Sequence, residues 1–116
     1  MGSRSDVALA IHRDLAALIS GEQQKAWFSD CSVKRTEDGH HLYGWLNAKW
    51  YIDFYSEISE MYAWLREQER DLYKIVVACH DYPESSEGDL GYWDDNPWGI
   101  ERVTSVSIAG LEAKND

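Results

Sequence analysis

The side chains best suited to chemistry lie together, in the stretch "HDYPESSEGDLGYWDDNPW" from His80 to Trp98. It carries six carboxylates, Asp81, Glu84, Glu87, Asp89, Asp94 and Asp95, and four large rings, Tyr82, Tyr92, Trp93 and Trp98, with no Lys or Arg. Such a set could hold a metal ion, move protons, stack on a sugar, or dock a basic protein.

Metal binding fails on spacing. Cys79, His80 and Asp81 are consecutive, and neighbours in an extended chain point to opposite faces, so the three do not converge on one ion. His40-His41 adds imidazoles but no H-x₃-H pair, and there is no C-x₂-C. "EGDLGYWDD" offers hard oxygens without the alternating acids and turn glycine that wrap calcium. No metal and no cofactor is expected. Catalysis has no motif behind it either: no G-x-S-x-G elbow, no P-loop, no H-E-x-x-H. His80 with Asp81, or Glu87 with Asp94, could form an acid–base pair, but a chain with 21 acids produces such pairs by chance. No catalytic residue is assigned.

Sugar binding would use exposed rings beside carboxylates. Trp27, Trp50, Tyr62 and Trp64 read as core, which leaves Tyr43, Trp45, Tyr92, Trp93 and Trp98 as surplus. Protein binding suits the stretch better. Trp and Tyr anchors dominate interface energies, and surrounding acids steer and select a partner rich in Lys and Arg. Asp81, Glu84, Glu87, Asp89, Tyr92, Trp93, Asp94, Asp95 and Trp98 are therefore the expected partner-binding residues. Trp93 and Trp98 have a second reading, as staples that fold the loop back over a sheet.

The chain has 116 residues, a size typical of one domain, with residues 1–5 and 111–116 expected to fray. Net charge is -10, and residues 80–100 hold six acids and no base. A surface of that sign repels nucleic acid and anionic lipid, so neither is an expected partner. No apolar run approaches a membrane span. "MGSRSD" lacks the pattern of a signal peptide, and Cys31 and Cys79 read as free buried thiols. A cytoplasmic location follows, the host cytosol if the chain is phage-encoded.

The elements that must position these residues follow from periodicity. "DVALAIHRDLAALIS", residues 6–20, carries Val7, Ile11, Leu15, Leu18 and Ile19 at helical spacing behind Asp6 as N-cap. Residues 26–35 and 40–52 alternate as strands about Asp38-Gly39, a strong hairpin signal. That alternation puts Tyr43 and Trp45 on an outer face, where they could seam a homodimer. Residues 54–70 read as a helix capped by Asp53, with Phe54, Ile58, Met61 and Leu65 as its core stripe. "LYKIVVAC", residues 72–79, reads as a central strand covered on both faces. Residues 100–109 read as a last strand. The expected fold class is α+β: a four-stranded, mostly antiparallel sheet with two helices, in the order α-β-β-α-β-β.

A small acidic protein of this kind fits an inhibitor of a basic, nucleic-acid-handling protein, since carboxylates on a rigid frame can stand in for phosphates. Phage anti-CRISPR and antirestriction proteins share this general profile of size and acidity, and so do immunity proteins against nuclease toxins. The expected function is accordingly a phage anti-defence inhibitor, with a toxin immunity protein as alternative. A third possibility is a small ligand-binding or enzymatic domain with a lid at 80–99.

Overall fold

The computed structural model describes residues 4–82 and 84–100. Strand β1 (Ser5–Ile11) leads into two short helices, α1 (Arg13–Ala16) and α2 (Gly21–Phe28). A hairpin, β2 (Val33–Glu37) and β3 (His40–Ala48), comes next, followed by helix α3 (Ser56–Arg66), a 3-10 turn (Arg70–Leu72) and β4 (Tyr73–Cys79). The four strands form one sheet in the order β2-β3-β1-β4, and each neighbouring pair is antiparallel. The α+β class and the antiparallel sheet agree with expectation. The connectivity is two interleaved split β-α-β units, the ferredoxin-like arrangement.

The first element is a correction. Residues 5–11 are a strand, and an inner one, not the start of a helix over 6–20. Val7, Leu9 and Ile11 face the helices, while Ala8 and Ala10 lie in a second cluster behind the sheet. A strand buried on both faces is a continuous apolar run, and such a run satisfies helical and extended spacing equally. Asp6 caps no helix. Its Oδ1 accepts the Asn47 amide at 2.9 Å and lies 3.1 Å from His80 Nε2, so it ties β1 to the ends of β3 and β4. Ser5, expected to fray, is buried within β1. Helix α1 starts only after His12, whose Nδ1 accepts the Asp14 amide at 3.1 Å.

The strand expected over 26–35 shrinks to β2, because its first residues finish α2. Ser20 and Gln23 close a reciprocal capping box there, which satisfies two amides that a helix start leaves open. The cap places Trp27 and Phe28 at the end of α2, where both are buried. Trp27 meets Trp64 of α3 at 5.7 Å, and Phe28 lies on Tyr43 of β3 at 3.7 Å between ring centroids. Tyr43 and Trp45 are thus core residues, 4% and 6% exposed, and they neither seam a dimer nor offer a sugar platform. The hairpin turn is as expected, with Asp38 and Gly39 at φ 54° and 82°.

Helix α3 begins at Ser56 with Tyr55 as N-cap and no side-chain cap bond, so Asp53 does not cap it. Met61, Tyr62 and Leu65 are buried as the apolar stripe requires, but Phe54 is 81% exposed. It precedes the helix, where the helical period does not govern it.

β4 has both faces covered, as its apolar run implies, yet among the described residues it is an edge strand. Its open edge is closed by the acidic stretch. Ile75 and Leu90 exchange both backbone hydrogen bonds, at 2.8 and 3.0 Å. Trp93 donates its amide to the Tyr73 carbonyl at 3.1 Å, and the Val77 amide donates to Asp89 Oδ1 at 2.8 Å. The outward-facing carbonyls of Tyr73 and Ile75 and amides of Ile75 and Val77 are satisfied in this way, which leaves less of the edge to template further pairing.

The same stretch then covers the back of the sheet. Ile100 is buried on Ala8, Ala10, Leu42 and Ala78, with Trp93 and Trp98 packed alongside. Small side chains on that face let large ones lie close to the backbone. The last strand expected over 100–109 falls, beyond Ile100, outside the described residues, as does the tail expected to fray. Among the described residues no helix is long and apolar enough to cross a membrane.

Candidate functional site

Three segments meet beyond the end of the sheet where β1 begins and β3 and β4 finish. The chain leaving β3 supplies Trp50, Tyr51, Ile52, Asp53 and Phe54. Helix α3 supplies Tyr62 and Arg66. The first half of the acidic stretch supplies Tyr82, Ser85 and Glu87 to Leu90. Between them lies an open cleft of about 1160 Å³, floored by Ser5, Val77 and Cys79.

One buried phenol fastens the three segments. Tyr62, 1% exposed, donates its hydroxyl to the Gly88 carbonyl at 2.6 Å and accepts Trp50 Nε1–H at 3.2 Å. Burial raises its pKa well above the ordinary range, so the phenol stays neutral and holds both bonds at any working pH. Gly88 is required for that closeness. Its φ is +95°, and a side-chain carbon there would come within 2.9 Å of Val77 Cγ2.

The cleft is aromatic on its walls and acidic overall. Asp53, Glu87 and Asp89 outnumber the single base Arg66 among its lining groups. Arg66 lies over the Tyr62 ring, with its guanidinium carbon 5.6 Å from the centroid. Of the lining rings, Phe54 and Tyr82 are the most exposed, at 81% and 68%. Tyr51 stacks with Tyr55 at 6.0 Å and meets Phe54 edge-on at 6.4 Å, so these rings form one continuous surface. Asp81, Glu84 and Glu87 are exposed along the same arm of the acidic stretch.

The structure does not bring the nine expected partner-binding residues together. Asp81, Glu84, Glu87 and Asp89 lie along the cleft arm, although Asp89 is half-buried and bonded to the Val77 amide. Tyr92, Trp93, Asp94, Asp95 and Trp98 belong to the second half, which runs along β4 and under the sheet. There Asp94 accepts from Lys74 Nζ at 2.7 Å, and Tyr92 gives its amide to Arg70 while its ring stays 65% exposed. Trp93 rests against His12 and His40, at 5.2 and 5.0 Å between ring centroids. Buried Asn96 ties the turn: its Nδ2 donates to the Trp93 carbonyl and its Oδ1 accepts the Trp98 and Ile100 amides. Both tryptophans are half-buried against the back face of the sheet, the position of staples.

Histidines and cysteines take structural positions. His80 lies 3.1 Å from Asp6, the carboxylate across the sheet, which the sequence does not pair with it. His40 Nδ1 accepts the Arg13 amide at 2.9 Å, and its ring is 4.6 Å from that of His12. Burial, with the charges of His12 and Arg13, holds the His40 pKa below 6.5. Burial likewise lowers His41, beside Lys34. Cys31 and Cys79 are free thiols, half-buried, and burial pushes Cys31 up, away from the thiolate that reactivity needs. Among the described residues no three His, Cys, Asp or Glu side chains group as metal ligands.

Sequence reasoning missed the opposite wall: Trp50, Tyr51, Asp53, Phe54 and Arg66. The signal was present in "WYIDFY", where four rings stand within six residues. Strand alternation takes Trp50 into the core and helical spacing takes Phe54, so the four rings do not read as one surface. Comparison with protein-family models, with curated proteins and with solved structures finds no match to this chain.

Proposed function

We propose that this chain is a protein-binding inhibitor that docks a basic, nucleic-acid-handling protein on the face around the acidic aromatic cleft. One observation supports this reading above the others. Exposed Asp81, Glu84 and Glu87 share an arm with exposed Tyr82, opposite exposed Phe54, so charge and unburied apolar surface coincide. Rings of that size left in water are the usual anchors of an interface. Acids around them favour a partner rich in Lys and Arg and speed its approach. A partner that binds phosphate through the same bases would lose its nucleic acid by competition.

The test is capture and inhibition. The protein is immobilised and exposed to a lysate of its host at low salt. The captured protein is then assayed for DNA or RNA binding with and without this chain. The reading expects a basic protein, released by high salt, that loses its nucleic acid when this chain is added in equal amount. Asp81, Glu84 and Glu87 changed together to Lys should abolish capture. Capture that survives both salt and this triple reversal would overturn the reading. Gene neighbourhood separates an anti-defence inhibitor from an immunity protein: a toxin gene directly upstream marks the latter.

A further inference from the structure

We infer that the cleft lined by residues 50–54 and by Tyr82, Ser85 and residues 87–90 is a receptor for arginine side chains on an extended segment of the basic partner. This deepens the reading above and rests on it for the partner's class.

Three features select the occupant. The first is charge: Asp53, Glu87 and Asp89 stand against Arg66 alone, so an entering cation meets a net attraction and an entering phosphate or carboxylate is repelled. The second is shape. Trp50, Phe54 and Tyr82 all line the cleft and offer ring surfaces, and a planar guanidinium stacks on rings where an ammonium does not. The third is a resident example. Arg66 already lies over the Tyr62 ring, 5.6 Å from its centroid, so the cleft accommodates a guanidinium on an aromatic face. A volume of about 1160 Å³ exceeds one side chain and suits a short run of peptide.

The wall that recognises the cation is free to do so. Asp53 gives α3 no cap bond, and Glu87 projects exposed from its turn. Neither is needed to hold the loop, which Tyr62, Gly88 and the Ile75–Leu90 pair already fasten. The binding groups can therefore be altered without dismantling the site.

The experiment titrates the ¹⁵N-labelled protein with three synthetic peptides of one length: Gly-Arg repeats, Gly-Lys repeats and Gly-citrulline repeats. Citrulline keeps the planar shape and removes the charge. The arginine peptide should shift the Trp50 indole and Gly88 amide resonances and leave the Trp93 indole, at the far end of the sheet, in place. Lysine should bind several-fold more weakly and citrulline should not bind. Asp53→Asn with Glu87→Gln should weaken the arginine peptide at least tenfold with the spectrum otherwise unchanged. Equal binding of arginine and lysine, or no loss in the double variant, overturns the inference. The two proposals fail separately. A captured partner that the double variant still binds and inhibits sinks the arginine receptor and leaves the interface standing. Peptide binding at the cleft with no basic protein captured sinks the interface reading alone.

Discussion

The acidic stretch has two halves of nearly equal length, the first with four acids and one large ring, the second with two acids and three large rings, and the fold treats them differently. In the first half Tyr82, Ser85 and Glu87 to Leu90 line a cleft and Asp81, Glu84 and Glu87 stand out in water, while Gly88, Asp89 and Leu90 fasten the arm. Residues 91–100 are fastened along their length: Tyr92 and Trp93 to the backbone before and within β4, Asp94 to Lys74, Asn96 to its own turn, and Ile100 into the back of the sheet. Charge density therefore does not mark an interface by itself. What matters is whether the backbone beneath the charges already has partners.

The contrast can be broken most sharply at Gly91. Its φ is +88°, and a side-chain carbon there would run into the carbonyl oxygen of Tyr73. Gly91→Ala should cost about 3 kcal/mol or more, because strain and a lost edge pairing add. Urea denaturation measures it, and a loss below about 1 kcal/mol would show that the second half is not fastened as described. Next comes Trp98→Ala, expected to cost about 2 kcal/mol, less than a fully buried aromatic because Trp98 is half-buried. Its binding to a captured partner should be unchanged. A variant of full stability that loses the partner would make Trp98 an anchor instead of a staple.

Smaller effects sharpen the difference. Asp94→Asn removes the ion pair with Lys74 and should cost less than about 1 kcal/mol, since Asp94 is largely in water. Reversal of Asp81, Glu84 and Glu87 should change stability by no more than about 0.5 kcal/mol while it abolishes partner binding. The two halves would then be separated by experiment, one acting on folding and the other on recognition.

Acidification probes the anchor of the second half. The folded pKa of His40 is depressed below 6.5, where burial and the charges of His12 and Arg13 outweigh Asp38 and Asp14. The unfolded chain therefore takes up the proton first as pH falls. Stability that His40 contributes is present above about pH 6.5 and is lost as pH drops toward the depressed folded value. His41 acts in the same direction. The urea midpoint should fall between about pH 7.5 and about pH 5.5, and His40→Gln should reduce that fall. An identical fall in the variant would remove His40 from the account.

Much of the frame was legible. Asp38-Gly39 specified the hairpin because both turn positions need positive φ. "IVVAC" specified a strand covered on both faces, and the stripe of Met61 and Leu65 specified α3. "VALAI" was not legible, because apolar residues at every position fit a helix as well as a doubly buried strand. Its pairing with residues 41–48 and 73–79 broke the tie. The cleft was half legible. Its acidic wall stood out by charge, whereas the rings of Trp50 to Phe54 look like any core aromatics until the chain is folded.

By itself, the sequence determined how much charge the molecule carries, where in the chain it lies, and which runs are apolar enough to be buried. Those are properties of composition and local order. The tertiary structure alone decided that the acidic stretch closes the β4 edge, that its second half is stapled against the sheet, and that its first half shares a cleft with "WYIDFY". Each of these depends on backbone groups far apart in the chain finding hydrogen-bond partners. A linear pattern shows that such groups must be satisfied, but not by which neighbour.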